Sequence, residues 1–149
     1  MTLQPCRIVL VDDHARLRQE VRRLLCEAET FEIVGEAENG LELFNLLASS
    51  VQAPDLVILE LSMPAVSGIE TLQRMKASYP GIKVLILTRH EEEIYLRYAF
   101  SNGAEGYVVK EDAATELLPA INAIRNGREY VSSFFSKLGE EPARSEGDG

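Results

Sequence analysis

"DLVILELSMP", residues 55–64, decides the fold. Val57, Ile58 and Leu59 form an apolar run of strand length, and Glu60 follows at its tip. A turn comes next, with Met63-Pro64 and then Gly68. A short run with no polar alternation is the pattern of a strand covered on both faces. It ends in a single acid.

Working outward, similar runs recur at 7–11, 32–36, 83–87 and 105–109, with 56–60 as the third of five. Between them the apolar spacing is helical. Leu17, Val21, Leu24, Leu25 and Ala28 make one stripe, and Leu43, Phe44 and Leu47 a second. Ile69, Leu72 and Met75 make the third, Ile94, Tyr98 and Ala99 a weaker fourth, and Leu117, Ile121 and Ile124 the fifth. Asn39-Gly40 and Ser67 can cap helices two and three. Gly81, Gly103 and Gly127 fall where helices should end. Pro119 breaks the pattern of helix five, which should start late, near Thr115, or bend there.

Five strands alternating with five helices predict an α/β fold with a parallel sheet covered on both faces. The natural arrangement is a (βα)5 flavodoxin-like three-layer sandwich with strand order 2-1-3-4-5. One domain is expected over 5–130. Residues 131–149 are expected to form a short helix, within "EYVSSFFSKL", and then a polar linker or tail, "GEEPARSEGDG". The formal charge of −9 gives this piece no electrostatic footprint for nucleic acid. Cys6 and Cys26 have neither metal-ligand nor disulfide-framework spacing, and Cys26, among Leu24, Leu25 and Ala28, is expected in the core. The N-terminus has no basic region ahead of its apolar run, so neither a signal peptide nor a membrane span is expected. The expectation is a cytoplasmic domain.

Polar residues fall at the strand tips: Asp12-Asp13 after strand one, Glu60 after three, Thr88 at four and Lys110 after five. In that strand order the four strands are neighbours, and ligands bind at the carboxyl ends. Three carboxylates suit a hard cation such as Mg²⁺, and a hydroxyl with an ammonium suits a phosphoryl group. Each residue alone is an ordinary loop acid, cap or surface lysine. Their convergence on one pocket is what points to phosphoryl handling.

"IVLVDDHARLR", "LVILELSMPAVSGIETL", "VLILTRHEEEIY" and "GAEGYVVKED" resemble the receiver domain of two-component response regulators. The "LTxH" and "GYVVK" phrasing is similar to the subfamily with a LuxR-type helix-turn-helix output domain. The resemblance implies Mg²⁺ held by Asp12, Asp13 (the more direct ligand), Glu60 and the carbonyl of Ser62. It implies Thr88 and Lys110 on the phosphoryl group, and Tyr107 as the aromatic that swings inward on activation. Ser62 and His90 match positions that tune the lifetime of the phosphoryl group. Implied partners are a sensor histidine kinase, a second copy in a homodimer and, only through an absent output domain, DNA. Dimerisation is expected through the face of helix four, strand five and helix five, or through helices one and five. Helix one, with Arg16, Arg18, Arg22 and Arg23, is a candidate kinase dock, or simply a solvated basic face.

The family's phosphoacceptor is Asp, and this chain has Glu60 there. One extra methylene moves the carboxylate by about 1.5 Å, and a misplacement of about 1 Å can cost in-line chemistry about 100-fold. Glu60 is therefore expected to be a poor acceptor that acts as a partial phosphomimic or only blocks phosphorylation, weakening Mg²⁺ as well. Arg89, after Thr88, is expected in solvent, with pairing to Glu60 as the other option. The chain is expected to be a signalling domain and not an enzyme. A stand-alone pseudo-receiver that acts by docking is the alternative. A phosphatase would need Asp-x-Asp after the first strand, where "VDDHAR" stands.

Overall fold

Each apolar run becomes a strand. A computed structural model describes residues 4–28, 30–49, 53–63 and 67–138. Among them the strands are β1 (Cys6–Val11), β2 (Phe31–Ala37), β3 (Leu56–Leu59), β4 (Lys83–Thr88), β5 (Gly106–Val109) and β6 (Tyr130–Val131). The helices are α1 (Ala15–Cys26), α2 (Gly40–Ser49), α3 (Gly68–Ser78), α4 (Glu93–Ser101), α5 (Ala113–Arg125) and α6 (Ser133–Leu138). The order across the sheet is β2-β1-β3-β4-β5-β6, and every pairing is parallel. The flavodoxin-like order 2-1-3-4-5 is therefore present, extended by one strand.

Strand alternation divides the core in two. Val9, Val11, Val57, Leu59, Val84, Ile86, Tyr107 and Val109 face α2, α3 and α4, where Leu43, Leu72, Met75 and Ala99 meet them. Ile8, Leu10, Ile58, Leu85, Leu87 and Val108 face Val21 and Leu25 of α1 and Leu117, Ile121 and Ile124 of α5. Burying each such side chain contributes about 1.5–3 kcal/mol before the cost of ordering it. Asn39 Oδ1 accepts the Glu42 amide at 2.9 Å, and Ser67 Oγ accepts the Glu70 amide at 3.2 Å, so both capping assignments hold.

Two expectations need correction, and two others gain detail. The short helix expected within 129–138 is present as α6, but a strand precedes it: after Gly127, at φ +81°, Tyr130 and Val131 pair with Gly106 and Tyr107 along the open edge of β5. A two-residue strand is too short to show a period in sequence. Helix α5 starts at Ala113, two residues before Thr115, and runs through Pro119. Proline deprives the Thr115 carbonyl of its helical partner, but both residues lie on the exposed side, where water can replace that bond. Cys26 is exposed while Cys6 is buried. Its chain neighbours are apolar, but a helix turns 100° per residue, so Leu25 faces the core and Cys26 does not. The weaker fourth helix is present as α4, with Ile94 and Tyr98 half exposed and Ala99 the residue that anchors it. The tail read at 139–149 lies outside the described residues. No helix among those described is long and apolar enough to cross a membrane.

Candidate functional site

Register sets the geometry at the carboxyl end of the sheet. Val11 pairs with Leu59, Leu59 with Ile86, and Thr88 with Val109. The next residues, Asp12, Glu60 and Lys110, therefore emerge side by side beside Thr88. Glu60 is still tied to the sheet, since its amide donates to the Val11 carbonyl at 3.0 Å. Behind it α3 begins very close: a Cβ on Gly68 would lie 2.4 Å from the Glu60 carbonyl oxygen and 2.3 Å from the Leu61 Cα. Only glycine permits that approach.

Glu60 is buried, as are Asp12 and Thr88. Its carboxylate is fully engaged. Oε1 takes the Lys110 ammonium at 2.5 Å. Oε2 accepts the Thr88 hydroxyl at 2.5 Å and the Ser62 amide at 2.8 Å. Lys110 also reaches Asp12 Oδ2 at 3.0 Å, so one buried cation serves two carboxylates. Asp12 Oδ1 accepts the His14 amide at 2.9 Å. Asp13 Oδ1 is buried without a hydrogen-bond partner; His14 Nδ1 stands 3.3 Å away without donating to it. Oxygens of Asp12 and Asp13 and a nitrogen of His14 lie within 4.8 Å of one another. An ammonium, a hydroxyl and a main-chain amide converging on one anion form an oxyanion-binding set. Here Glu60 fills it from within.

A second layer lies beyond Thr88. The His90 amide donates to Thr88 Oγ1 at 3.3 Å, and the His90 carbonyl accepts the Tyr107 hydroxyl at 2.9 Å. Tyr107 is fully buried. Burial foremost, then the Glu60 charge, pushes its phenol well above the usual tyrosine range. Ser62 Oγ hydrogen-bonds His90 Nε2, and the His90 ring stacks on Tyr95 at 4.1 Å.

The residues singled out in sequence thus come together: Asp12, Glu60, Ser62, Thr88 and Lys110 touch one another, Asp13 flanks them, and Tyr107 lies one contact further. Arg89 is exposed, and the partners of Glu60 just named do not include it. The basic face of α1 is smaller than its sequence suggests. Arg18 and Arg22 are bound by Glu36 of β2, which leaves Arg16 and Arg23 as the exposed arginines outside that cluster. Sequence reasoning did not find Tyr95 beneath His90, nor Phe135 against Tyr107, whose ring centroids are 5.6 Å apart. Neither has a motif to signal it.

Fold and pocket lead to one family. The chain belongs to the response regulator receiver domains, whose family model matches residues 8–122. It is 34% identical over 125 residues to the transcriptional regulatory protein DegU of Brevibacillus brevis, covering 84% of this chain and 52% of DegU. It is 35% identical over 126 residues to the oxygen regulatory protein NreC of Staphylococcus epidermidis, covering 84% and 57%. The chain thus spans little more than half the length of these relatives. A LuxR-family two-component response regulator from Aurantimonas superposes with a TM-score of 0.85 at 33% identity, over 94% of this chain and 99% of that one. The isolated receiver domain of RcsB from Salmonella enterica, in the presence of phosphomimetic BeF3-, gives 0.83 at 27% identity, over 91% and 99%.

Proposed function

We propose that this chain is the receiver part of a transcriptional response regulator in which Glu60 stands in, incompletely, for a phosphorylated acceptor. The supporting observation is the set of partners on its carboxylate. Lys110, Thr88 and the Ser62 amide are the groups a phosphoryl oxygen would engage at this position, and Glu60 engages all three itself. Thr88 is held inward, and Tyr107 is packed inward behind it. Glu60 brings one negative charge and two oxygens where a phosphoryl group brings more of both, so the bias is partial. Its longer side chain also removes the acceptor from in-line reach.

The same pocket fits a divalent cation in part. Asp13 Oδ1 is a buried, unpartnered carboxylate oxygen, and hard oxygen donors suit Mg²⁺. Asp12, Asp13 and the Ser62 carbonyl would hold the ion, which would supply charge neutralisation for an incoming phosphoryl group. Glu60 has both oxygens committed to protein donors, and the Lys110 ammonium already balances part of the acidic charge. Mg²⁺ affinity is therefore reduced but not abolished. A sensor histidine kinase as phosphodonor, a homodimer, and DNA contact through a separate output domain complete the reading. The lengths and names of the relatives support it.

Intact mass after incubation with Mg²⁺ and acetyl phosphate tests it, with Glu60→Asp in parallel. The expected result is one phosphoryl group on Glu60→Asp and none on the unmodified chain. Phosphorylation of neither chain would replace this reading with that of a pseudo-receiver that acts only by docking. Phosphorylation of Glu60 itself would remove the mimic.

A further inference from the structure

The segment after α5 is fastened by two acids. Asp112 Oδ2 accepts the Ser132 hydroxyl and, at 3.3 Å, the Phe134 amide. Glu116 Oε1 accepts the Tyr130 hydroxyl at 2.8 Å and the Ser133 amide at 2.9 Å, and its Oε2 accepts the Ser133 hydroxyl. The apolar fastening is aromatic. Phe135 meets Tyr107 edge to face, and Phe134 meets Phe135 in the same way at 5.3 Å. Both phenylalanines pack on the α2–α4 side of the core.

A two-residue strand and a six-residue helix cannot hold themselves in order. What orders them is the surface beneath, and its centre is Tyr107. The Tyr107 carbonyl accepts the Ser132 amide at 2.8 Å, its main chain pairs with Val131, and its ring carries Phe135. Through its hydroxyl the same residue holds His90, then Thr88, then Glu60. One side chain therefore stands between the pocket and the C-terminal segment, with contact on both sides.

We propose that segment 130–138 reads the state of the Glu60 pocket: Phe135 senses the position of the Tyr107 ring, and β6 and α6 loosen when that ring is released. The output of the pocket then passes into the chain's own continuation and not only to a partner on the α4–β5–α5 face. This rests on the receiver reading only in taking Glu60 as the group that holds Thr88 inward. Coupling of this kind is reciprocal, so disturbing Phe135 must loosen the loop at His90.

Hydrogen–deuterium exchange of the intact chain tests it, with Thr88→Val, Glu60→Asp and Phe135→Leu. The amides of 132–135 should exchange about threefold faster or more in Thr88→Val and Glu60→Asp, while β2 and α2 are unchanged. Phe135→Leu should speed exchange at 88–92 by a similar factor. Unchanged exchange in 132–135 for both pocket variants overturns the proposal. Should Thr88→Val loosen the whole sheet, Glu60→Asp and the Phe135→Leu arm decide, and no change at 88–92 refutes the coupling. Failure here with Glu60→Asp phosphorylated would leave the receiver reading intact. Coupling without phosphorylation would do the reverse.

Discussion

Two clusters of charge invite comparison, because they use the same chemistry in opposite proportions. At the carboxyl end of the sheet one cation, Lys110, holds two carboxylates, Glu60 and Asp12, and none of the three side chains is more than 10% exposed. At the outer edge two cations, Arg18 and Arg22, hold one carboxylate, Glu36, and Arg22 is 45% exposed. The edge cluster is a strut: it fastens α1 to β2 in partial solvent, where water shares the work. The pocket is buried and carries more acid than base. Stability does not account for such a cluster, because well-packed apolar residues would serve as well or better. An acid excess kept away from water is the mark of a site that acts on charge. Arg18 links the two, donating to the Asp12 carbonyl at 2.5 Å while it holds Glu36.

The largest effect expected from this contrast belongs to Lys110. Lys110→Ala leaves Glu60 and Asp12 buried without their cation, and it should cost about 3–5 kcal/mol by urea unfolding at neutral pH. Adding Glu60→Gln should restore part of the loss, because the two residues are in contact and their effects are not additive. A loss below about 1 kcal/mol would place the pocket in the same class as the edge strut and end the distinction. Thr88→Val keeps shape but removes one donor to Glu60 and the acceptor of the His90 amide, so about 1–3 kcal/mol is expected.

Alkali probes the same side of the molecule. Tyr107 and Tyr130 both resist ionisation, the latter pushed up to about 12 by burial and then by its bond to Glu116. A folded-state pKa above the unfolded value of about 10 stabilises fully below that value. That contribution fades as pH rises through the folded one. Tyrosinate absorbance should therefore show these two phenols ionising late and together with loss of structure, and an early, fully reversible titration of all tyrosines would contradict it.

The strands, their order and the pocket were legible because each rests on a local signal: an apolar run, then a polar residue at its tip. Glu60, Thr88 and Lys110 needed no tertiary knowledge beyond a strand order. What escaped has no local signal. Tyr130 and Val131 form a strand only because β5 offers an open edge, and Phe135 finds Tyr107 only after the chain has turned at Gly127. Cys26 was misplaced by reading chain neighbours where helical spacing governs. Ile94 and Tyr98 show the converse case. Their spacing identified α4 correctly, but periodicity tells that a helix has an apolar face and not that this face is the buried one.

Glu36 supplies the smallest effect and the control for the whole comparison. Burial raises its pKa, but the hydrogen bonds from Arg22 and Arg18 outweigh that and hold it below the usual carboxylate range. A depressed acid stabilises above its unfolded value of about 4.3 and loses that contribution as pH falls through the folded value. Glu36→Gln should thus cost about 1 kcal/mol or less at neutral pH, and less again in high salt. In acid the unfolding midpoints of the two chains should converge, since the unmodified carboxyl is then neutral as well. Arg18 would lose one partner and keep the Asp12 carbonyl, so the pocket should stay intact and Glu60→Asp/Glu36→Gln should accept a phosphoryl group as well as Glu60→Asp does. A large loss of phosphorylation in the double variant would mean that the strut sets the pocket through Arg18, and the two clusters would then be one.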